Sequence, residues 1–352
     1  MGALPLDPLA GPGFGARQSG APAADVLRRL DAVSRSAGPN LEAFIRANAA
    51  GLTQELRLAM DRQGDGPARL LDQRLRAVEQ GLDLDRARRA AVAGLALGLP
   101  ARGACRAVPA AIEALYPQAY AALADGLQDD AAGYDPDSYA KDVRFTAGMS
   151  VPAGAQIVDI AFARGARADL RRLAQMSAMS GRLALAGAGL GVAAHLLRDQ
   201  GLGHWVEIHT DSRSLGDFNE VGWDACYRRI ADLLTLNPDL AGMWGASWFY
   251  DPQLRAISPR LAYLQDRPLA RGAIAVRLGE GEIHTQRAAQ TSPTRAALIA
   301  SGEYRPVCYA LFWPRKALIA WAAESWAALG GPGVDGGLAY LSRQGGPMHA
   351  TS

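Results

Sequence analysis

A chain of 352 residues is long enough for two domains of roughly 100–200 residues each. Its net charge of +2 excludes a surface devoted to neutralising nucleic-acid phosphates. Three widely spaced cysteines, Cys105, Cys226 and Cys308, with no C-x-x-C, exclude a disulfide framework and a cysteine zinc site, and they fit a reducing cytoplasm.

Residues 1–22 are rich in glycine and proline and lack the basic start and apolar core of a signal peptide, so a flexible N-terminus is expected. From 23 to 128 the apolar spacing predicts helices throughout. Val26, Leu27, Leu30 and Val33 form one stripe; Leu41, Phe44 and Ile45, then Leu52, Leu56 and Leu58, form another; Leu70, Leu71, Leu75 and Val78 follow. Breaks are expected at Gly38-Pro39-Asn40, Gly64-Asp65-Gly66-Pro67 and Gly98-Leu99-Pro100. Residues 129–141 are acidic and turn-rich at their start and are expected to link two domains. The spacing of Asp129, Asp130, Asp135 and Asp137 does not match a calcium-binding loop.

Residues 142–326 form the expected mixed α/β catalytic domain. Val143–Thr146 and Gln156–Phe162 are predicted strands joined by the turn Val151–Gly154. A helix is expected from about Ala166 to Asp199. Its apolar stretch between Arg182 and Arg198 is shorter than the roughly 20 residues a bilayer requires, so it is expected to be buried or to line a lipid-sized groove at a membrane face. Trp205–His209 alternates like a strand, with Glu207 and His209 on one face. A polar loop, Thr210–Asn219, precedes the helix Glu220–Leu236, whose stripe is Trp223, Tyr227, Ile230 and Leu234, with Asn219 as its N-cap. Leu240–Tyr250 is the next predicted strand, Ile257–Leu264 a short helix, and Ala273–Leu278 a third strand. Gly279–Gly281 is a turn and Ser292–Ser301 a helix with Pro293 at its first position. Pro306–Trp313 is a strand, Ala317–Trp321 a strand or helix, and 327–352 a loose tail.

Chemistry concentrates between His204 and Pro259, which holds two of the five histidines and four of the seven tryptophans. A carboxylate and an imidazole side by side, Glu207 and His209, can act as a general base. A strand opening into a polar loop and a helix start is also a place where anions bind. Trp244, Ala246, Trp248 and Tyr250 share a strand face, which would make either core or the wall of an acyl pocket.

The order strand, polar loop, helix, strand, helix, closing strands, together with Arg213-Ser214-Leu215-Gly216-Asp217-Phe218, resembles the core of the GNAT acyltransferase superfamily. The family's coenzyme-binding loop reads Gln/Arg-x-x-Gly-x-Gly/Ala, and Arg213 and Gly216 match its first two fixed positions. The resemblance covers roughly residues 142–325. It implies an α+β fold, with a GNAT-like mixed sheet flanked by helices, and coenzyme A or a carrier thioester as acyl donor. It further implies Arg213 and Gly216 as coenzyme contacts, Glu207 as general base and Tyr250 as general acid. His209 is the second candidate for the base.

Two other readings stand beside this one. His209-Thr210-Asp211, with His284 further on and Arg295 eleven positions later, has the residue types of a non-haem iron, 2-oxoglutarate-type oxygenase: His209, Asp211 and His284 on the metal and Arg295 on a carboxylate. The third reading is a non-enzymatic interaction protein that docks through its helical region. The leading expectation is an acyltransferase moving a long acyl chain from a thioester to an amine, with no metal. It would be cytoplasmic, with peripheral membrane contact and no nucleic-acid partner.

Overall fold

The computed structural model describes residues 22–60, 66–79, 81–128, 133–161, 204–290 and 292–328. The expected N-terminus, the apolar helix between Ala166 and Asp199, and almost all of the tail lie outside the described residues.

The N-terminal half is helical, as its stripes predict. Helices α1 (Ala24–Arg35), α2 (Pro39–Ala59), α3 (Gly66–Val78), α4 (Leu84–Arg102), α5 (Ala110–Glu113) and α6 (Tyr116–Gln128) follow one another. Helix α4 lies at the centre and packs on α1, α2, α3 and α6. Ala87, Ala90, Ala91 and Ala93 are all fully covered, so the helix buries more than one side, and its exposed polar group, Arg86, lies in the first turn. The expected break at Gly98-Leu99-Pro100 does not occur, and α4 continues through Pro100 to Arg102. The carbonyl that Pro100 leaves without its helical N–H, that of Ala96, accepts instead from the Tyr120 hydroxyl at 3.1 Å.

The last six residues of the expected linker and the first expected strand are together a helix. Helix α7 (Pro136–Thr146) starts at Asp135, whose carboxylate accepts from the Ser138 N–H at 2.8 Å, with Pro136 in the first turn. Val143–Thr146 is its last turn. Alternating apolar residues over four positions fit one turn of a helix as well as a short strand, and the cap decides. Gly148, at φ 69°, turns the chain into β1 (Ser150–Pro152) and β2 (Ile157–Asp159).

Beyond these come β3 (His204–His209), α8 (Glu220–Leu236), β4 (Leu240–Ser247), α9 (Leu254–Ile257), α10 (Tyr263–Ala270), β5 (Ile274–Glu280), α11 (Glu282–Gln290), α12 (Pro293–Ala300), β6 (Val307–Pro314) and α13 (Arg315–Ala328). The sheet order is β1-β2-β3-β4-β6-β5. Every pair is antiparallel except β3 with β4, which the 17-residue crossover α8 makes parallel. Asn219 caps α8, accepting from the Gly222 N–H at 3.0 Å, and Ser292 caps α12, accepting from that of Arg295 at 3.3 Å.

Three further boundaries differ from expectation. Strand β4 ends at Ser247, and Trp248–Tyr250 is a 3-10 turn held by Gln265, whose amide donates to the Phe249 and Asp251 carbonyls at 3.1 and 2.7 Å. The helix expected over Ile257–Leu264 is divided into α9, the 3-10 turn Pro259–Leu261, and α10. Helix α11, over residues for which no element was expected, buries just Ala288 and so carries no stripe to betray it. Ala317–Trp321 is helical, within α13.

One hydrophobic core runs from Val26 on α1 to Ala322 on α13, taking in Val206 and Ile208 from one face of β3. A smaller cluster, Trp205, Ala241, Trp244, Ala310 and Phe312, sits on the opposite face of the sheet.

Candidate functional site

The parallel pair is one irregular place in the sheet. Strands β3 and β4 are in register only up to Glu207 and Trp244. Beyond that point β3 stays with β2 through Ile208 and His209, while β4 stays with β6 through Ser247. The carboxyl ends of two parallel strands therefore part, and open sheets bind ligands at such crevices. A cavity of about 910 Å³ opens there, lined by Ile208, His209 and Thr210 on one side and by Gly245 to Tyr250 on the other. Gly245 stands at the fork; a Cβ there would press on the Ile208 side chain.

His209 is on the cavity wall with a fixed orientation. Its Nε2 lies 3.0 Å from Oδ2 of Asp159 on β2 and 3.9 Å from Oε1 of Glu207. Asp159 pairs opposite Glu207 in the ladder, so the three side chains share one face. His209 leaves 23% of its side-chain surface exposed, against 5% for Asp159 and 12% for Glu207, so the imidazole is the member a ligand reaches. Burial pushes the Asp159 carboxyl up, but Arg144 and His209 outweigh it and hold Asp159 well below the usual carboxylate range. Ser150 donates to its other oxygen at 2.5 Å. An ionised Asp159 receives Nε2–H, which leaves the Nδ1 lone pair as the basic atom.

Tyr250, on the same wall, is 2% exposed. Burial pushes its hydroxyl far above the ordinary tyrosine value, so it stays protonated; it adjoins the Tyr227 hydroxyl, but the two do not reach hydrogen-bond geometry. Sequence reasoning missed Asp159 and Arg144. The signal was present in the alternation Ile157-Val158-Asp159, which puts one acid on a strand face, but only the β2–β3 register brings it to His209.

The loop expected to cradle a coenzyme has another job. Residues Ser212–Asp217 wind into a 3-10 helix. Arg213 donates to Asp142 Oδ1 at 2.6 Å and to both oxygens of Asp211 at 3.0 and 3.1 Å, and it is not on the cavity wall. Although burial opposes the charge, these two acids raise the Arg213 pKa. The Tyr134 hydroxyl completes the knot, donating to Asp142 at 2.7 Å. Gly216 has ordinary backbone angles, and nothing would meet a Cβ there, so its position does not require glycine. Phe218 stacks edge-on against Trp223 and Phe249, at 5.6 and 5.8 Å between centroids.

The expected metal triad does not assemble. Among the described residues the one group of three such ligand types is Asp159, Glu207 and His209, with ligand atoms within 4.8 Å of one another; neither Asp211 nor His284 joins it. Arg144 Nε, 3.1 Å from Asp159 Oδ2, already supplies positive charge where a cation would sit.

Helix α7 buttresses the whole arrangement. Lys141 donates to the Thr210 carbonyl and to Asp137, both at 2.8 Å, Asp142 holds Arg213, and Arg144 holds Asp159. The three cysteines are buried, and burial raises Cys105 to about 11 and Cys226 and Cys308 to about 12, which makes them poor nucleophiles. No described helix is long and apolar enough to cross a membrane. Comparison with models of protein families, with curated proteins and with solved structures gave no match.

Proposed function

We propose that this chain is an N-acyltransferase that moves an acyl group from a coenzyme A or carrier thioester to an amine. The observation that carries the reading is an imidazole aligned by a buried aspartate, on the wall of a cavity it shares with a protonated tyrosine, where two parallel strands part. A cavity of this volume suits a thioester arm and a small acceptor. The element order that resembles the GNAT core, from β3 through α8 and β4 to the closing strands, supports the same reading.

In this scheme the His209 Nδ1 takes the proton from the amine as its nitrogen attacks the thioester carbonyl. The C–N bond forms, the C–S bond breaks as the intermediate collapses, and the departing thiolate takes the proton back from the His209 imidazolium, while Tyr250, whose hydroxyl stays protonated, walls the cavity beside it. Asp159 stabilises the imidazolium through Nε2–H, and Glu207, 3.9 Å away, adds a second negative charge. The base is therefore His209 rather than Glu207, which stands behind it. The coenzyme contacts first assigned to Arg213 and Gly216 pass to other parts of the wall. Buried, unpaired cysteines fit a cytoplasmic location.

The test is thiol release from a panel of acyl thioesters with simple amines. His209→Ala should lower turnover by about 10²–10⁴-fold, the usual contribution of a positioned base, whereas Tyr250→Phe, which keeps the ring on the wall, should lower it far less. Full turnover in His209→Ala, or no thiol release with any donor, removes the reading.

A further inference from the structure

The cavity has a second chemical character besides the imidazole. Three arginines from three elements line it: Arg260 on the turn Pro259–Leu261, Arg287 on α11 and Arg295 on α12. Arg295 is 2% exposed and rigidly set. Its Nε donates to the Ala288 carbonyl at 2.9 Å, its Nη1 to Ser258 Oγ at 3.2 Å, and its guanidinium lies over the Trp248 ring at 4.8 Å. Burial and the neighbouring charge of Arg260 both work against its cationic form, though a guanidinium stays protonated regardless.

The acids on the cavity wall are already engaged. Asp135 caps α7, Asp137 is shared by Lys141 and Arg287, and Glu220 pairs with Arg267. Arg260 is exposed to solvent and makes no ion pair among the described residues. Two guanidiniums on one cavity wall, one of them set in place by an aromatic ring and two oxygens, present forked donors of like charge to an anion.

We infer that Arg260 and Arg295 hold the carboxylate or phosphate group of an acidic substrate, with Arg287 at the edge of the site. The anion site stands on its own geometry; its assignment to a substrate of the transfer reaction rests on the function proposed above. The acidic end and the reacting end would then lie in one cavity, with His209 and Tyr250 at the second.

The experiment is calorimetric titration and thermal shift of the full chain with inorganic phosphate, pyrophosphate and citrate. A ligand that binds only the folded state raises its melting temperature. The wild type should bind at least one of these probes, and Arg260→Ala should weaken that binding at least about tenfold, the usual worth of a charged hydrogen bond. Arg271→Ala, which removes a surface arginine paired with Glu324, should bind as the wild type does. Binding of the phosphates alone or of citrate alone supports the site and names the group it reads. Failure of all three probes to bind, or equal binding by Arg260→Ala and wild type, overturns it. His209→Ala separates the two proposals: retained anion binding with lost turnover supports both, whereas retained binding with full turnover keeps the anchor and discards the transfer chemistry.

Discussion

One oxygen of Asp159 faces both His209 and Arg144, and the behaviour of the site under acid follows from it. A carboxylate whose pKa falls on folding contributes stability above its unfolded value, near 3.9, and loses that contribution as pH drops through the folded value. Acid should therefore weaken the protein below about pH 4 in proportion to this group. Asp159→Asn should flatten the fall in urea midpoint from about pH 4 downward. At pH 7 the same change should cost about 3–5 kcal/mol, because Arg144, with 11% of its side chain exposed, is left without its partner. A variant as acid-sensitive as the wild type would assign the transition to other carboxylates. Residue chemistry was partly legible in the chain. His209 could be picked out as a candidate by type and setting and Tyr250 through the family resemblance, whereas Asp159 looked like any acid on a short strand.

Helix α7 shows why an element can be misread and still matter most. Its sequence mixes four charges into eleven residues, and its aromatic and aliphatic positions are too few to settle a period. Three successive features of its inner side nevertheless reach the site: Lys141 to the Thr210 carbonyl, Asp142 to Arg213, and Arg144 to Asp159. Asp142 is buried and is one of two acids on Arg213, so Asp142→Ala should destabilise the fold by about 1–3 kcal/mol through the lost hydrogen bonds to Arg213 and Tyr134. Adding Arg213→Met should lower the urea midpoint further, since it leaves the carboxylate of Asp211 without its partner. Single and double variants as stable as the wild type would show that α7 is held by its apolar contacts instead.

For the whole molecule, the boundary expected between a helical region and a catalytic domain does not divide the packing. The core is continuous from α1 to α13. Arg57 ties α2 to the Gly103 and Ala147 carbonyls, and Arg106 ties the segment after α4 to the Ile160 carbonyl and to Asp239. All seven tryptophans lie beyond residue 204, so their fluorescence reports the sheet, while far-ultraviolet circular dichroism reports mainly the helices. The two signals should unfold with the same midpoint in urea, as a cooperative unit requires. Separate transitions would restore the expected domain boundary near residue 140.

The amino-acid order by itself determined the elements with long periodic patterns and clear caps: the N-terminal helices, α8 with Asn219, α12 with Ser292, and the strand bearing Glu207 and His209. Those signals are local, since a stripe or a cap needs only neighbours along the chain. Tertiary structure decided everything that depends on register and on which charges meet. It brought Asp159 to the imidazole, closed the Arg213 loop with two acids, one of them more than seventy positions away, and parted β3 from β4 to open the cavity. Such pairings are fixed by strand partnership and by the burial of a charge beside its counterion, and neither leaves a periodic trace in the chain.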